Sequence, residues 1–147
     1  LRYYSQEFLD SSTVRFKVNT QMKAPDKQVD GKTRRHIFLV VKEALNNILK
    51  HSGAKNAVLE VWTEQAVPGP DYLTAENAPS GLDSPSDMPV TLRIRITDDG
   101  KGFDTANTTP FRNGLTNMQN RAGEIDGSLV MESIPGQGTL LDLKVGI

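Results

Sequence analysis

The sequence predicts an α+β fold: a two-layer α/β sandwich with one mixed, mainly antiparallel sheet and its helices on one face. Three observations lead there. Several short segments alternate apolar and polar residues, the period of half-buried strands. Two longer segments carry apolar residues at three- and four-residue steps, the period of a helix packed on one side. Their order, with turn residues between, makes hairpin partners of neighbouring strands. A length of 147 residues, with 37% apolar and 24% charged, suits a single domain over 1–147.

The elements follow in order. LRYYSQEFLD (1–10) spaces Leu1, Tyr4, Phe8 and Leu9 as a short helix, or the end of a longer one. VRFKVN (14–19) alternates as a strand, and the stretch to Lys32 is a connection broken by Pro25 and Gly31. From about Thr33 to Lys50, the residues Ile37, Val40, Val41, Ala44, Leu45 and Ile48 form one apolar stripe. AVLEVW (57–62) is the next strand. Residues 64–89 hold five prolines and no sustained periodicity, and read as a flexible surface insertion between hairpin partners. VTLRIRIT (90–97) alternates cleanly and runs into DDGKGF. A polar loop, 104–113, precedes a helix over 115–125, and strands at 128–134 and 139–147 flank a GQG turn. No internal repeat is present.

Composition narrows the function classes. The net charge is −1, from 17 basic and 18 acidic residues, which argues against a general nucleic-acid binder. With no cysteine, disulfides and thiolate metal sites are excluded, and a reducing cytoplasm suits the chain. No apolar run approaches the ~20 residues needed to cross a bilayer, and no signal segment opens the chain. A start at Leu1 is expected of a fragment, so any membrane anchor of a parent protein would lie outside it.

Three stretches carry potential chemistry. In KEALNNILKHS, Glu43, Asn47 and Lys50 fall within an arc of roughly 60° on an ideal helix at about 100° per residue. A carboxylate, an amide oxygen and an ammonium so placed suit Mg²⁺ and phosphate oxygens. The alternative is the solvated face of an amphipathic helix, with His51 a C-terminal residue favoured by the helix dipole. In DDGKG, the glycines at 100 and 102 would let a flat ring approach the backbone. An ionised Asp98 accepts only, so it would take a hydrogen bond from the adenine amino group and repel the guanine carbonyl. The same residues also read as a tight hairpin turn. Asn113-Gly114-Leu115 opens a helix whose free amides favour phosphate, with 104–113 as a lid or simply a loop. Two decoys fail: Gly31-Lys32-Thr33 has Asp26 where a phosphate loop needs glycine, and GQGTLL lacks the third glycine of a dinucleotide fingerprint.

Taken together, EALNNILKHSGA, DDGKGF, GLTNMQNRAGEIDGSL and SIPGQGTLL resemble the ATP-binding catalytic domain of bacterial sensor histidine kinases, a Bergerat fold. The likeness is to the nitrate-sensing and membrane-fluidity-sensing branch, and covers residues 34–63 and 90–147. It implies Asn47 as a Mg²⁺ ligand, Glu43 near the metal or its water, and Lys50 and His51 along the phosphates. Asp98 would bind the adenine amino group, Gly100 and Gly102 would shape the ring pocket, and Gly138 with Thr139 would complete it. Gly114 and Leu115 would close the lid on the triphosphate. Met118 and Arg121 also match, Met118 as core. Two departures stand out: Asp126-Gly127 replaces a glycine pair, and 64–89 is longer than usual.

The resemblance further implies ATP and Mg²⁺ as cofactors and phosphoryl transfer to a histidine on a separate helical dimerisation domain. It implies a response regulator downstream, and a homodimeric parent in the inner membrane with this domain in the cytoplasm. His36 and His51 lie in or beside the nucleotide helix, so neither is a phosphoacceptor. Two rival readings are an anti-sigma-factor serine kinase of the same fold and a degenerate domain used for protein interaction. A gyrase- or chaperone-type ATPase fits less well, since those carry larger lids and added domains.

Overall fold

Alternation sets the sheet. In the computed structural model, which describes residues 14–21, 29–65, 89–104 and 109–147 (backbone alone at 109–112), Val90, Leu92, Ile94, Ile96 and Asp98 are buried at every second position. They form one face of β3 (Val90–Asp98), the centre of a five-stranded sheet of order β1-β2-β3-β5-β4. β1 (Arg15–Gln21) runs parallel to β2 (Asn56–Gln65). β2 pairs antiparallel with β3, from Ala57 opposite Asp98 to Gln65 opposite Val90. β5 (Gly138–Gly146) pairs antiparallel with both β3 and β4 (Ser128–Ile134). The sheet is therefore mixed and mainly antiparallel, as the alternation predicts. The 1–10 segment, most of the 64–89 insertion and residues 105–108 lie outside the described residues.

The helices supply the second layer. α1 (Gly31–Asn47) turns its stripe of Ile37, Val40, Val41, Ala44 and Leu45 into the core. It starts two residues earlier than the apolar stripe suggests, because Asp30 caps it. The Asp30 carboxylate accepts from the Lys32 and Thr33 amides at 2.8 and 3.0 Å. These bonds hold that carboxyl below the usual range, Thr33 contributing most. α2 (Thr109–Gly123) contributes Met118 and Ala122, which join Leu59, Ile94 and Leu143 in the same cluster. Each of the most deeply buried side chains stabilises the fold by about 1.5–3 kcal/mol relative to exposure.

Other helix boundaries also depart from expectation. α2 begins at Thr109, not Leu115, with Pro110 in its first turn, where a missing N–H costs nothing. Gly114 therefore lies inside the helix rather than among free amides at its start. Beyond Asn47 the helix widens into a π-turn, Ile48–Ser52, ended by Gly53 at φ 63°. Ser52 Oγ donates to the Ile48 carbonyl at 2.7 Å and accepts from the Ala54 amide at 2.9 Å, closing the end of the turn. The steady step of an α-helix no longer applies past Asn47, and Lys50 is exposed. At the far end of α2, Asp126 takes φ 51°, a conformation that Asp tolerates better than most residues, so the Asp126-Gly127 pair still turns the chain.

The other face of the sheet is polar. Asp142 is only 8% exposed and receives Arg93 at 2.7 and 3.3 Å and Arg95 at 2.9 Å. Both guanidinium groups lie 5.3 Å from the centre of the Trp62 ring. Burial pushes the Asp142 carboxyl up, but the two arginines outweigh it and hold it below the usual range.

Candidate functional site

The C-terminal end of β3 brings the site together. Asp98 closes that strand on the core side and is 6% exposed. Its Oδ1 accepts from the Gly100 amide at 2.8 Å. Burial pushes this carboxyl up and neighbouring Asp99 adds to the effect, while bonds from the Gly100 amide and the Thr139 hydroxyl pull it back. Asp98 is thus a carboxylate held at some cost in a half-apolar place, a pattern found at functional sites more often than in plain turns.

The loop after Asp98 is tied down on both sides. Asp99 accepts from the Lys55 and Asn56 amides at 2.8 Å each and from Asn56 Nδ2 at 2.6 Å. These bonds, with Asn56 foremost, keep its own carboxyl low. The Lys101 amide donates to the Ser52 carbonyl at 2.8 Å, and the Lys101 carbonyl accepts from the Gly136 amide at 2.6 Å. The loop therefore bridges the π-turn and the β4–β5 turn.

Glycine is required where these backbones cross. Gly102 has φ 58° and Gly138 φ 83°, conformations L side chains rarely adopt. A Cβ on Gly102 would strike the Ile134 carbonyl, and one on Gly138 would strike the carbonyl of Asp98. Beside this crossing lies a cavity enclosing, with its mouth, about 590 Å³. Asn47, His51, Asp98, Gly102, Leu115 and Thr139 all line it. Apolar walls with a few polar groups are the composition of a small-molecule site.

The remaining predicted residues fall around this cavity. A side chain on Gly114 would meet Glu43 Oε1 at 3.0 Å and Asn47 Nδ2 at 3.8 Å, so Gly114 lets α2 close on α1 beside those two groups. Gly100 and Gly138 support Asp98 from behind the wall. Lys50 is exposed and does not line the cavity, the consequence of the π-turn. Met118 is buried and also forms part of the wall, so its core role and the site coincide. Three contributors went unread in the sequence. Phe103 and Ser52 line the cavity, and Ser133 Oγ accepts from the Phe103 amide at 2.9 Å. Ser133 had a legible signal: it occupies an inward position of an alternating strand, where Leu129 and Met131 precede it.

Residues 32–146 match the family described as "Histidine kinase-, DNA gyrase B-, and HSP90-like ATPase". The chain belongs to this ATPase family. Its relatives include the sensor histidine kinase LiaS of Bacillus subtilis, 27% identical over 96% of this chain and 32% of that protein. The sensor protein VraS of Staphylococcus haemolyticus is 30% identical over 74% of this chain and 24% of its own length. The chain thus spans about a third or less of the curated relatives it matches. Among solved structures, the histidine kinase domain of the Erythrobacter litoralis EL346 blue-light activated kinase aligns at TM-score 0.58 and 22% identity, over 97% of this chain and 59% of that one. The Acinetobacter baumannii histidine kinase AdeS aligns at TM-score 0.58 and 15% identity, with the same coverage. At those identities the structures establish the fold, and the two sequence relatives are a sensor histidine kinase and a sensor protein.

Proposed function

We propose that this domain binds Mg-ATP and donates the γ-phosphoryl group to a histidine on a separate helical domain of a parent sensor kinase. The observation that carries the proposal is the buried Asp98 carboxylate in a glycine-built cavity whose opposite wall presents Asn47. Adenine offers an amino donor to that acceptor, and the close backbone packing at Gly102 and Gly138 fixes the wall on which Asp98 sits.

The donor set also fits Mg²⁺. The Asn47 amide and the Glu43 carboxylate both lie beside Gly114. Among the described residues no group of three or more His, Cys, Asp or Glu could hold a metal ion. One or two protein oxygens are what an ion needs when it draws its other ligands from phosphates and water. When bound, such an ion neutralises charge on the phosphates. The chain's own residues position: Asp98 and Thr139 orient the base, His51 lies towards the phosphates, and Leu115 covers them from α2. Lys50 can reach the phosphates only by swinging in from solvent.

The parent is read as a homodimer in the inner membrane, with this domain in the cytoplasm and a response regulator as the final acceptor. That the chain matches a third or less of a sensor histidine kinase, LiaS, and a sensor protein, VraS, supports a longer sensor parent. Among the described residues no helix is long and apolar enough to cross a membrane. Incubating the domain with γ-labelled ATP and the parent's separately produced helical domain tests the transfer. The expected product is acid-labile, base-stable label on a histidine. Acid-stable label on serine, or no transfer by a domain that binds ATP, contradicts it.

A further inference from the structure

Ser133 is polar where the strand pattern calls for an apolar residue. Along β4, Leu129, Met131 and Ser133 turn inward while Val130, Glu132 and Ile134 are exposed. Ser133 does not itself line the cavity, yet it contacts two residues that do. Its Oγ accepts from the Phe103 amide at 2.9 Å and lies 3.0 Å from Thr139 Oγ1 and 3.1 Å from the Gly138 carbonyl. Thr139 stands opposite Ser133 across β4 and β5, and opposite Asp98 across β5 and β3. That register sets the Thr139 hydroxyl beside the Asp98 carboxyl, whose raised titration it draws down.

The protons in this chain can run only one way when Asp98 is ionised. A carboxylate accepts and cannot donate, so the one hydroxyl proton of Thr139 goes to Asp98. The contact between Thr139 and Ser133 then needs the proton of Ser133, which the Gly138 carbonyl shares. The free lone pair of Ser133 takes the Phe103 amide. An ordered path results: Phe103 amide, Ser133, Thr139, Asp98.

We infer that Ser133 is a positioning residue for nucleotide recognition, aiming the Thr139 hydroxyl at Asp98 while anchoring Phe103 where the chain leaves the cavity. This rests on the reading of the cavity as an adenine-nucleotide site. It joins Thr139 on β5 to Phe103, two residues that line the same cavity.

Ser133→Thr and Ser133→Val test it, since the two side chains share a shape, both suit a strand, and they differ by one hydroxyl. Each is titrated calorimetrically with Mg-ATP beside the unsubstituted chain, with thermal melts as a check on folding. Ser133→Thr is expected to keep affinity within about twofold, and Ser133→Val to lose about tenfold, the effect of unsatisfying a buried bond. In a Thr139→Val background most of that loss should vanish, to about twofold or threefold, because the group Ser133 acts through is gone. A purely structural role predicts additive losses instead. Ser133→Ala, measured in parallel, repeats the comparison without added volume should the valine chain fail to fold. Equal affinity for the threonine variant and the variants lacking a hydroxyl, or full additivity with Thr139→Val, overturns the inference. An unsubstituted chain that folds but binds no ATP overturns the nucleotide reading beneath it.

Discussion

Asp98 stands directly opposite Thr139 in the antiparallel register of β3 and β5. That single pairing unites two glycine-rich stretches that lie far apart in the chain. It sets the carboxylate and the hydroxyl side by side at one end of the sheet, on the face the helices cover. Gly138, one residue earlier, brings its backbone against the Asp98 carbonyl, where no side chain would fit. Strand register and close packing therefore meet at one contact.

Replacing Asp98 should separate binding from stability. Burial raises the Asp98 carboxyl above the 3.8 of an ordinary aspartate. Folding therefore disfavours its ionised form, and stability falls as pH rises through the raised value. Asp98→Asn removes that penalty, so its melting temperature at neutral pH should equal or exceed that of the unsubstituted domain, and the gap should close on acidification. Its ATP affinity should fall by about tenfold or more, because an amide donor faces the adenine amino group. Melts across pH, beside calorimetric titrations, check both.

Asn47→Ala should act through the metal. With Mg²⁺ present, ATP affinity is expected to drop about tenfold or more, in the range seen when metal sites lose a partner. With a chelator present the variant and the unsubstituted domain should bind alike. Unchanged affinity and unchanged Mg²⁺ dependence would remove Asn47 from the metal site.

Gly138→Ala tests the close approach. With φ at 83° and the Asp98 carbonyl in the way, a methyl group forces both strain and displacement. A loss of about 1–3 kcal/mol in unfolding free energy is expected, together with weaker ATP binding, since the displaced atom belongs to Asp98. Urea denaturation measures the first and titration the second.

Asp142→Ala provides the opposite control. It strips the buried carboxylate from Arg93 and Arg95 on the face away from the cavity, at an expected cost of about 3 kcal/mol. The folded carboxyl of Asp142 sits below 3.8, so its contribution is fully present above that unfolded value and is lost as pH falls through the depressed one. ATP affinity at neutral pH should not change. An affinity loss as large as that of Asp98→Asn would show that the two faces are coupled.

The architecture was largely legible because each strand buries one face, so β3 and β4 announce themselves by period, as does the stripe of α1. That Asp98, Asn47, Leu115 and Thr139 share one cavity was legible for a different reason: the order and spacing of four motifs resemble those of one family's nucleotide domain. What escaped depended on local hydrogen bonds that no period encodes. The Ser52 hydroxyl helps to close the π-turn that carries Lys50 outward, and the Asp30 carboxylate starts α1 at Gly31 despite the glycine. The start of α2 is hidden in the sequence because TPFRN, over Thr109–Asn113, shows no apolar periodicity. Ser133 was passed over as a strand residue, although a lone inward hydroxyl beside a GQGT turn marks a bond waiting for its partner.

The most direct test of the central claim is calorimetric titration of the folded domain with ATP and with GTP, each with and without Mg²⁺. Binding should be selective for adenine and strengthened by Mg²⁺. Equal affinity for the two nucleotides, or binding of neither by a folded sample, would contradict it and leave Asp98 without the role assigned to it.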